Sequence, residues 1–133
     1  MVRKLRPKKE KGRGKVKNAT PNTLDGIDFK SKLESYTYTK LKEVGIIAEY
    51  EAVRFEILPA FEYNGESIRR MSYTPDFVGK GFIIECKGLI SDSFPLRWKL
   101  FKHFLYTENL NYKLYMPRNR KQVDEVIQQI LNG

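Results

Sequence analysis

Apolar and polar positions change period along this chain, and the changes mark out its elements. Leu33, Thr37, Leu41 and Val44 recur at helical spacing, with Glu34, Tyr38 and Leu41 along an adjacent edge. Ser31 and Glu34 have capping-box spacing and Gly45 sits where a C′ glycine belongs, so the first helix is expected over 31–44. The period then drops to two: Val53, Phe55 and Ile57 share a face, with Arg54 and Glu56 opposite and Pro59 limiting the strand. Asn64-Gly65 is a hairpin signal between Phe61 and Tyr63 on one side and Ile68 on the other. Met71 to Phe77 reads as a further strand ending around Asp76, and Lys80-Gly81 turns into a strand over 82–87. Ser91, Asp92 and Ser93 are N-cap candidates, and Pro95 fits an early position of a helix over 94–106 carrying Phe94, Trp98, Phe101 and Leu105 on one face. Tyr112, Leu114 and Met116 alternate before Pro117, and Asn119 caps a last helix whose Val123, Val126, Ile127, Ile130 and Leu131 follow helical spacing. The order is α-β-β-β-α-β-α. A mixed central sheet flanked by helices, an α/β (α+β) single domain, is the natural packing.

Composition agrees. At 133 residues, 41% hydrophobic and 13% aromatic, the chain can build one core. Its apolar runs are only a few residues long, which excludes a membrane span, and the N-terminus lacks a signal peptide's apolar stretch. A lone cysteine, Cys86, excludes an intramolecular disulfide, and with a single histidine it excludes a Cys/His zinc site within one chain. A cytoplasmic location is expected.

The net charge of +9 is concentrated at the start. Residues 1–17 hold Arg3, Lys4, Arg6, Lys8, Lys9, Lys11, Arg13, Lys15 and Lys17 against Glu10, leaving 16 basic and 15 acidic residues for the rest. Asn18 to Thr23 is a polar linker and Asp25-Gly26 a turn, which sets a basic, disordered tail and linker over 1–24 and a folded unit over 25–133. The tail suits a polyanion, or serves as a solubilising or localisation segment.

The candidate chemistry surrounds the strand over 82–87. Glu85 and Lys87 project to one side of it, Ile84 and Cys86 to the other. A carboxylate and an ammonium beside a buried strand are costly to desolvate unless compensated, and a divalent metal held by Asp76 and Glu85 would compensate them. Carboxylate-held Mg²⁺ suits phosphodiester hydrolysis, since it positions water and neutralises developing charge, and Mn²⁺ is expected to substitute. Glu34 is the best placed helix-borne third carboxylate.

Pro75-Asp76, eight intervening residues and Glu85-Cys86-Lys87 resemble the PD-(D/E)xK nuclease superfamily, whose core has a similar helix, three-strand meander, helix and strand order. The closer resemblance is to phage endonuclease I, the Holliday-junction resolvase, and to a set of short phage proteins. It rests on Leu33-Glu34, on Tyr73-Thr74-Pro75-Asp76-Phe77, and on Glu85-Cys86-Lys87-Gly88-Leu89, and covers roughly residues 25–105. The resemblance implies a restriction-endonuclease-like core in which Asp76, Glu85, Glu34 and the backbone carbonyl of Cys86 bind metal and Lys87 is the catalytic lysine. It implies an Mg²⁺-dependent endodeoxyribonuclease acting on branched DNA and, because a junction is cut symmetrically, a homodimer. The Asn64-Gly65 hairpin is a departure, falling where the resolvases link the swapped halves of their dimer.

Other roles stay open for the same residues. Glu34 could be only the N3 member of a capping box, and Glu85 with Lys87 an edge-strand ion pair. Arg69 and Arg70 are candidates for phosphate contact. Lys99 and Lys102, with Arg97, either line a DNA groove or are solvated helix charges. A nuclease acting on linear duplex (nicking, restriction-type or transposase-associated) and a non-catalytic nucleic-acid-binding module are the alternatives.

Overall fold

A computed structural model of the chain describes residues 2–4, as backbone, and 19–133. The elements are β1 (Val2–Lys4), β2 (Asn22–Leu24), β3 (Ile27–Phe29), α1 (Lys32–Glu43), β4 (Ala48–Tyr50), β5 (Val53–Leu58), β6 (Phe61–Tyr63), β7 (Glu66–Ile68), β8 (Met71–Tyr73), β9 (Phe77–Gly79), β10 (Phe82–Ile84), α2 (Phe94–Thr107), β11 (Lys113–Tyr115) and α3 (Arg120–Asn132). Four strands form a mixed sheet in the order β11-β10-β9-β4, where β10 and β11 are parallel and the other pairs antiparallel. A second, antiparallel sheet has the order β1-β5-β8. Hairpins β2-β3 and β6-β7 complete the set. The expected mixed sheet flanked by helices is present.

The helix ends follow the local chemistry. Ser31 has extended backbone and its hydroxyl accepts from the Glu34 amide at 3.2 Å, satisfying one orphan N–H of the first turn. At the other end Gly45, at φ +75°, lets its amide reach the Lys42 carbonyl (3.1 Å) and the Ile46 amide reach that of Leu41 (2.9 Å), a Schellman closure. Asn119 caps α3 in the same way as Ser31, its side chain accepting from the Gln122 amide at 2.9 Å.

The sheet sequesters two apolar clusters, one per face. Phe77, Phe82, Ile84 and Tyr115 pack with Leu41 of α1 and with Val123, Val126 and Ile127 of α3. Val53, Phe55, Tyr73, Val78 and Ile83 pack with Phe101, Phe104 and Leu105 of α2. Phe55 and Phe101 meet edge-on at 5.1 Å, a favoured aromatic geometry. The two helices of the first cluster are also joined at their surface, where the Tyr36 hydroxyl donates to Asp124 at 2.7 Å.

Several expectations need correction. The strand expected from Met71 to Phe77 is two strands, because Pro75 cannot donate to a ladder and the chain bends at Thr74–Asp76. The neighbouring segment bends at the same level: Glu51, at φ +48°, separates β4 from β5 and its amide donates to the Asp76 carbonyl at 2.8 Å. The linker ends earlier than 24, because Asn22–Leu24 pairs with Ile27–Phe29 about the Asp25-Gly26 turn. Tyr38 and Lys42 anchor that turn to α1 through Asp25, at 2.9 and 2.6 Å. Within the segment expected to be disordered, Val2–Lys4 adds a strand to the edge of β5, whose backbone groups would otherwise be unpaired there. Val44 is 40% exposed and lies outside the buried stripe of α1. Residues 5–18, including Arg6, Lys8, Lys9, Lys11, Arg13, Lys15 and Lys17, lie outside the described residues. Among the described residues, no helix is long and apolar enough to cross a membrane.

Gly79 and Gly88 differ in a testable way. A Cβ on Gly79 would come within 2.2 Å of the ring of its cross-strand partner Phe82, whereas one on Gly88 meets nothing. Gly79→Ala should cost about 1–3 kcal/mol by overpacking a buried ring, and Gly88→Ala less than about 0.5 kcal/mol. Urea unfolding of both variants measures this, and equal midpoints would contradict the packing at Gly79.

Candidate metal centre

The bend between β8 and β9 places Asp76 at the centre of an acidic cluster. Asp76 is 5% exposed, Glu34 of α1 7% and Glu85, just past β10, 4%. Three carboxylates with so little solvent are unusual, because each loses hydration that must be replaced. The fourth acid is Glu51, half-buried at the bend of the neighbouring strand. One carboxylate oxygen each from Glu34, Glu51 and Asp76 lie within 4.8 Å of one another. That span suits oxygens around one hard divalent cation, whose metal–oxygen distances are about 2.0–2.6 Å.

Each carboxylate is held by a specific contact. Tyr50 donates its hydroxyl to Glu34. The Cys86 amide donates to Asp76 Oδ2 at 2.8 Å, and the Asp76 amide to Glu85 Oε1 at 3.3 Å, so Asp76 and Glu85 are interlocked through backbone. Lys87 Nζ lies 3.3 Å from Glu85 Oε2 and 4.5 Å from the Phe94 ring centroid, which fixes the ammonium at the rim of the site. The Tyr73 hydroxyl is buried beside Glu85 without forming a hydrogen bond of normal geometry. Lys30, which follows β3, pairs closely with Glu51, and its amide makes a long contact (3.5 Å) to the Tyr50 hydroxyl.

The electrostatics are those of a site with surplus negative charge. Burial raises the pKa of Asp76, and the carboxylates of Glu85 and Glu34 raise it further against the opposing Cys86 amide and Lys30. Burial also raises Glu34, opposed by Tyr50 and Lys30, and Glu85, opposed by Lys87 and Tyr73. Four carboxylates face two ammonium groups, a surplus of two negative charges when all are ionised. A divalent cation matches that surplus, and the all-oxygen donor set suits Mg²⁺ or Mn²⁺.

The sequence-derived residues divide accordingly. Glu34, Asp76, Glu85 and Lys87 come together, and Cys86 joins them through its amide while its thiol is buried against the Thr37 hydroxyl at 3.3 Å. The Glu34 amide makes the cap with Ser31 while its carboxylate faces inward. Glu85 lies outside the trio of Glu34, Glu51 and Asp76; its oxygens go to the Asp76 amide and Lys87. Arg69 and Arg70 lie at the opposite end of β8 from Asp76, and Arg70 is 3.9 Å from Glu56. Lys99 and Lys102 are exposed on α2, with Lys102 over the Trp98 ring. The sequence reading missed Glu51, Lys30 and Tyr50. It also missed Arg118, whose guanidinium donates to the Lys87 carbonyl at 2.6 Å and so braces the segment that follows β10. Lys32 and Arg120, with Asn22, Ser35, Tyr36 and Thr39, line a separate groove between β2, α1 and α3.

One family model, described as a protein of unknown function (DUF1064), matches residues 14–121. The chain belongs to that family. The match spans all four acids and Lys87. Comparison with the curated proteins gives no match, and neither does comparison with the solved structures.

The raised carboxylates set a pH dependence. From about pH 4 up to their raised folded values, the folded chain binds more protons than the unfolded chain, so metal-free stability falls as pH rises through that window. Asp76→Asn removes one such group while keeping an oxygen for the Cys86 amide. In EDTA the variant should melt above wild type at about pH 8, by ~3–6 °C per kcal/mol of relieved burial. The gap should close towards about pH 4, and melts across this range would show it. A gap of constant size would exclude Asp76 as its source.

Proposed function

We propose that this protein is an Mg²⁺-dependent endodeoxyribonuclease that hydrolyses DNA phosphodiester bonds, structure-selective for branched DNA such as four-way junctions. The observation that carries the reading is the convergence of Glu34, Glu51 and Asp76 oxygens within 4.8 Å, with the Glu85–Lys87 pair beside them. The resemblance of Tyr73 to Phe77 and of Glu85 to Leu89 to the junction resolvases gives the substrate class. DNA as partner, a homodimer able to cut a junction symmetrically, and a cytoplasmic location belong to the same proposal.

Glu34, Glu51 and Asp76 would hold the cation, which supplies charge neutralisation at the phosphate and a more acidic water. Glu85 stays buried and fixes Lys87 Nζ at the rim, where the ammonium donates a hydrogen bond to the attacking water or to a phosphate oxygen. The Tyr50 hydroxyl orients Glu34, and the Cys86 amide orients Asp76. The cationic groove lined by Lys32 and Arg120 offers a further place for a DNA backbone away from the cluster.

The test is cleavage of a labelled four-way junction and of a sequence-matched linear duplex, in Mg²⁺ and in EDTA. Wild type should cut the junction in Mg²⁺ alone, and Asp76→Ala and Glu51→Gln should lower the rate by about 10²-fold or more while retaining binding. Equal cutting of both DNAs would favour the nuclease of linear duplex. Binding without cutting in any metal would favour the non-catalytic module, and cutting by Asp76→Ala would sink this site.

A further inference from the structure

Lys30 belongs to none of the motifs that point to the metal centre, yet it faces three of its acids, Glu51, Asp76 and Glu34. It follows β3 directly, and its ammonium is paired with Glu51, one of the three clustered carboxylates. The side chain is 39% exposed, so it lies at the mouth of the cluster and has room to swing outward. Burial works to lower its pKa, but Glu51, Asp76 and Glu34 together outweigh burial and hold the ammonium charged. The same cation opposes the upward shifts of Asp76 and Glu34. Its backbone is also tethered to the site, since the Lys30 amide contacts the Tyr50 hydroxyl that donates to Glu34.

A monovalent ammonium bound to Glu51 and a divalent cation held by Glu34, Glu51 and Asp76 compete for the same oxygens and the same negative potential. We propose that Lys30 is a displaceable counter-ion, which neutralises Glu51 while the centre is metal-free and is released from it when a divalent cation binds. This rests on the metal-centre reading above and adds a residue to it. A four-carbon stem suits such a role, because it keeps the charge at the mouth of the site after release. In this scheme Lys30 weakens metal binding and supports the metal-free fold.

The experiment is Mn²⁺ titration by calorimetry, with thermal melts in EDTA, on wild type, Lys30→Met, Lys30→Arg, Glu51→Gln and the Lys30→Met/Glu51→Gln double variant. Lys30→Met should bind Mn²⁺ roughly 3–30-fold more tightly than wild type and melt at a lower temperature in EDTA. Lys30→Arg keeps the charge and should stay within about threefold of wild type. In the Glu51→Gln background the Lys30→Met gain should largely vanish, which separates competition at Glu51 from a diffuse effect of removing a positive charge. Unchanged or weaker binding by a folded Lys30→Met variant would overturn the proposal and leave the metal centre standing, with Lys30 as an orienting partner of Glu51. A gain of equal size in both backgrounds would also overturn it. Absence of Mn²⁺ binding by wild type and every variant would overturn the metal centre itself, and this proposal with it.

Discussion

The hydrogen bond from the Glu51 amide to the Asp76 carbonyl fixes the geometry on which the acidic cluster depends. Two neighbouring strands break at that level, one through a residue at positive φ and the other through Pro75. Had both run straight, side-chain alternation would have continued through Glu51 and Asp76, and their orientations would have followed the pleat of each strand. Breaking both together keeps the strands paired on either side: Tyr50 stays opposite Phe77, and Phe55 stays opposite Tyr73. The apolar clusters on the two faces hold those flanking pairs, with Phe77 in one cluster with Phe29 and Leu41 and Phe55 against Phe101 in the other. The core therefore acts on the site by pinning both ends of a bend whose middle buries Pro75 together with the Asp76 carboxylate.

Such a bend does not stabilise the fold through its own charges. Buried carboxylates in proximity raise one another's pKa, and the interior cannot solvate them as water does. The compensations within the chain are partial: a tyrosine hydroxyl for Glu34, one amide each for Asp76 and Glu85, and one ammonium each for Glu51 and Glu85. Polar networks left short of partners are costly, so a cluster of this kind is expected where a bound group supplies what is missing. The free Tyr73 hydroxyl beside Glu85 belongs to the same deficit. Stability is thus concentrated in the aromatic clusters and the capped helices, and the bend draws on it.

Much of this arrangement is legible in the sequence wherever the signal is local. Ser31 with Glu34 and the Gly45 closure define α1, Asn119 defines the start of α3, and Asn64-Gly65 defines a hairpin, because in each case a few adjacent residues carry the whole physical cause. Glu85 and Lys87 are found on one side because alternation along an extended segment is local too. Glu51 is invisible to that reasoning. It sits between two short strands with no turn residue beside it, and it enters the cluster only because a non-glycine residue takes positive φ opposite a break in another strand. The split of 71–77 is hinted at by Pro75, but its partner break is not. Arg69 and Arg70 lie apart from Asp76 for a related reason: nearness in sequence becomes distance when the intervening chain is extended.

The β2-β3 hairpin extends the argument beyond the acids themselves. Its first residues, Asn22 and Thr23, look like linker because they are polar, yet the turn is tied to α1 through Asp25, and Phe29 is buried against Tyr38 and Tyr50. Tyr50 in turn packs on Phe77 next to Asp76. This aromatic chain ends at Lys30 on one side and at the Glu34 hydrogen bond on the other. A backbone amide and a carboxylate that meet the same hydroxyl couple the Lys30 backbone to Glu34. The segment preceding α1 is thereby part of the centre rather than an appendage to it, and the strength with which it docks sets how firmly the Lys30–Glu51 pair is held at the mouth of the cluster.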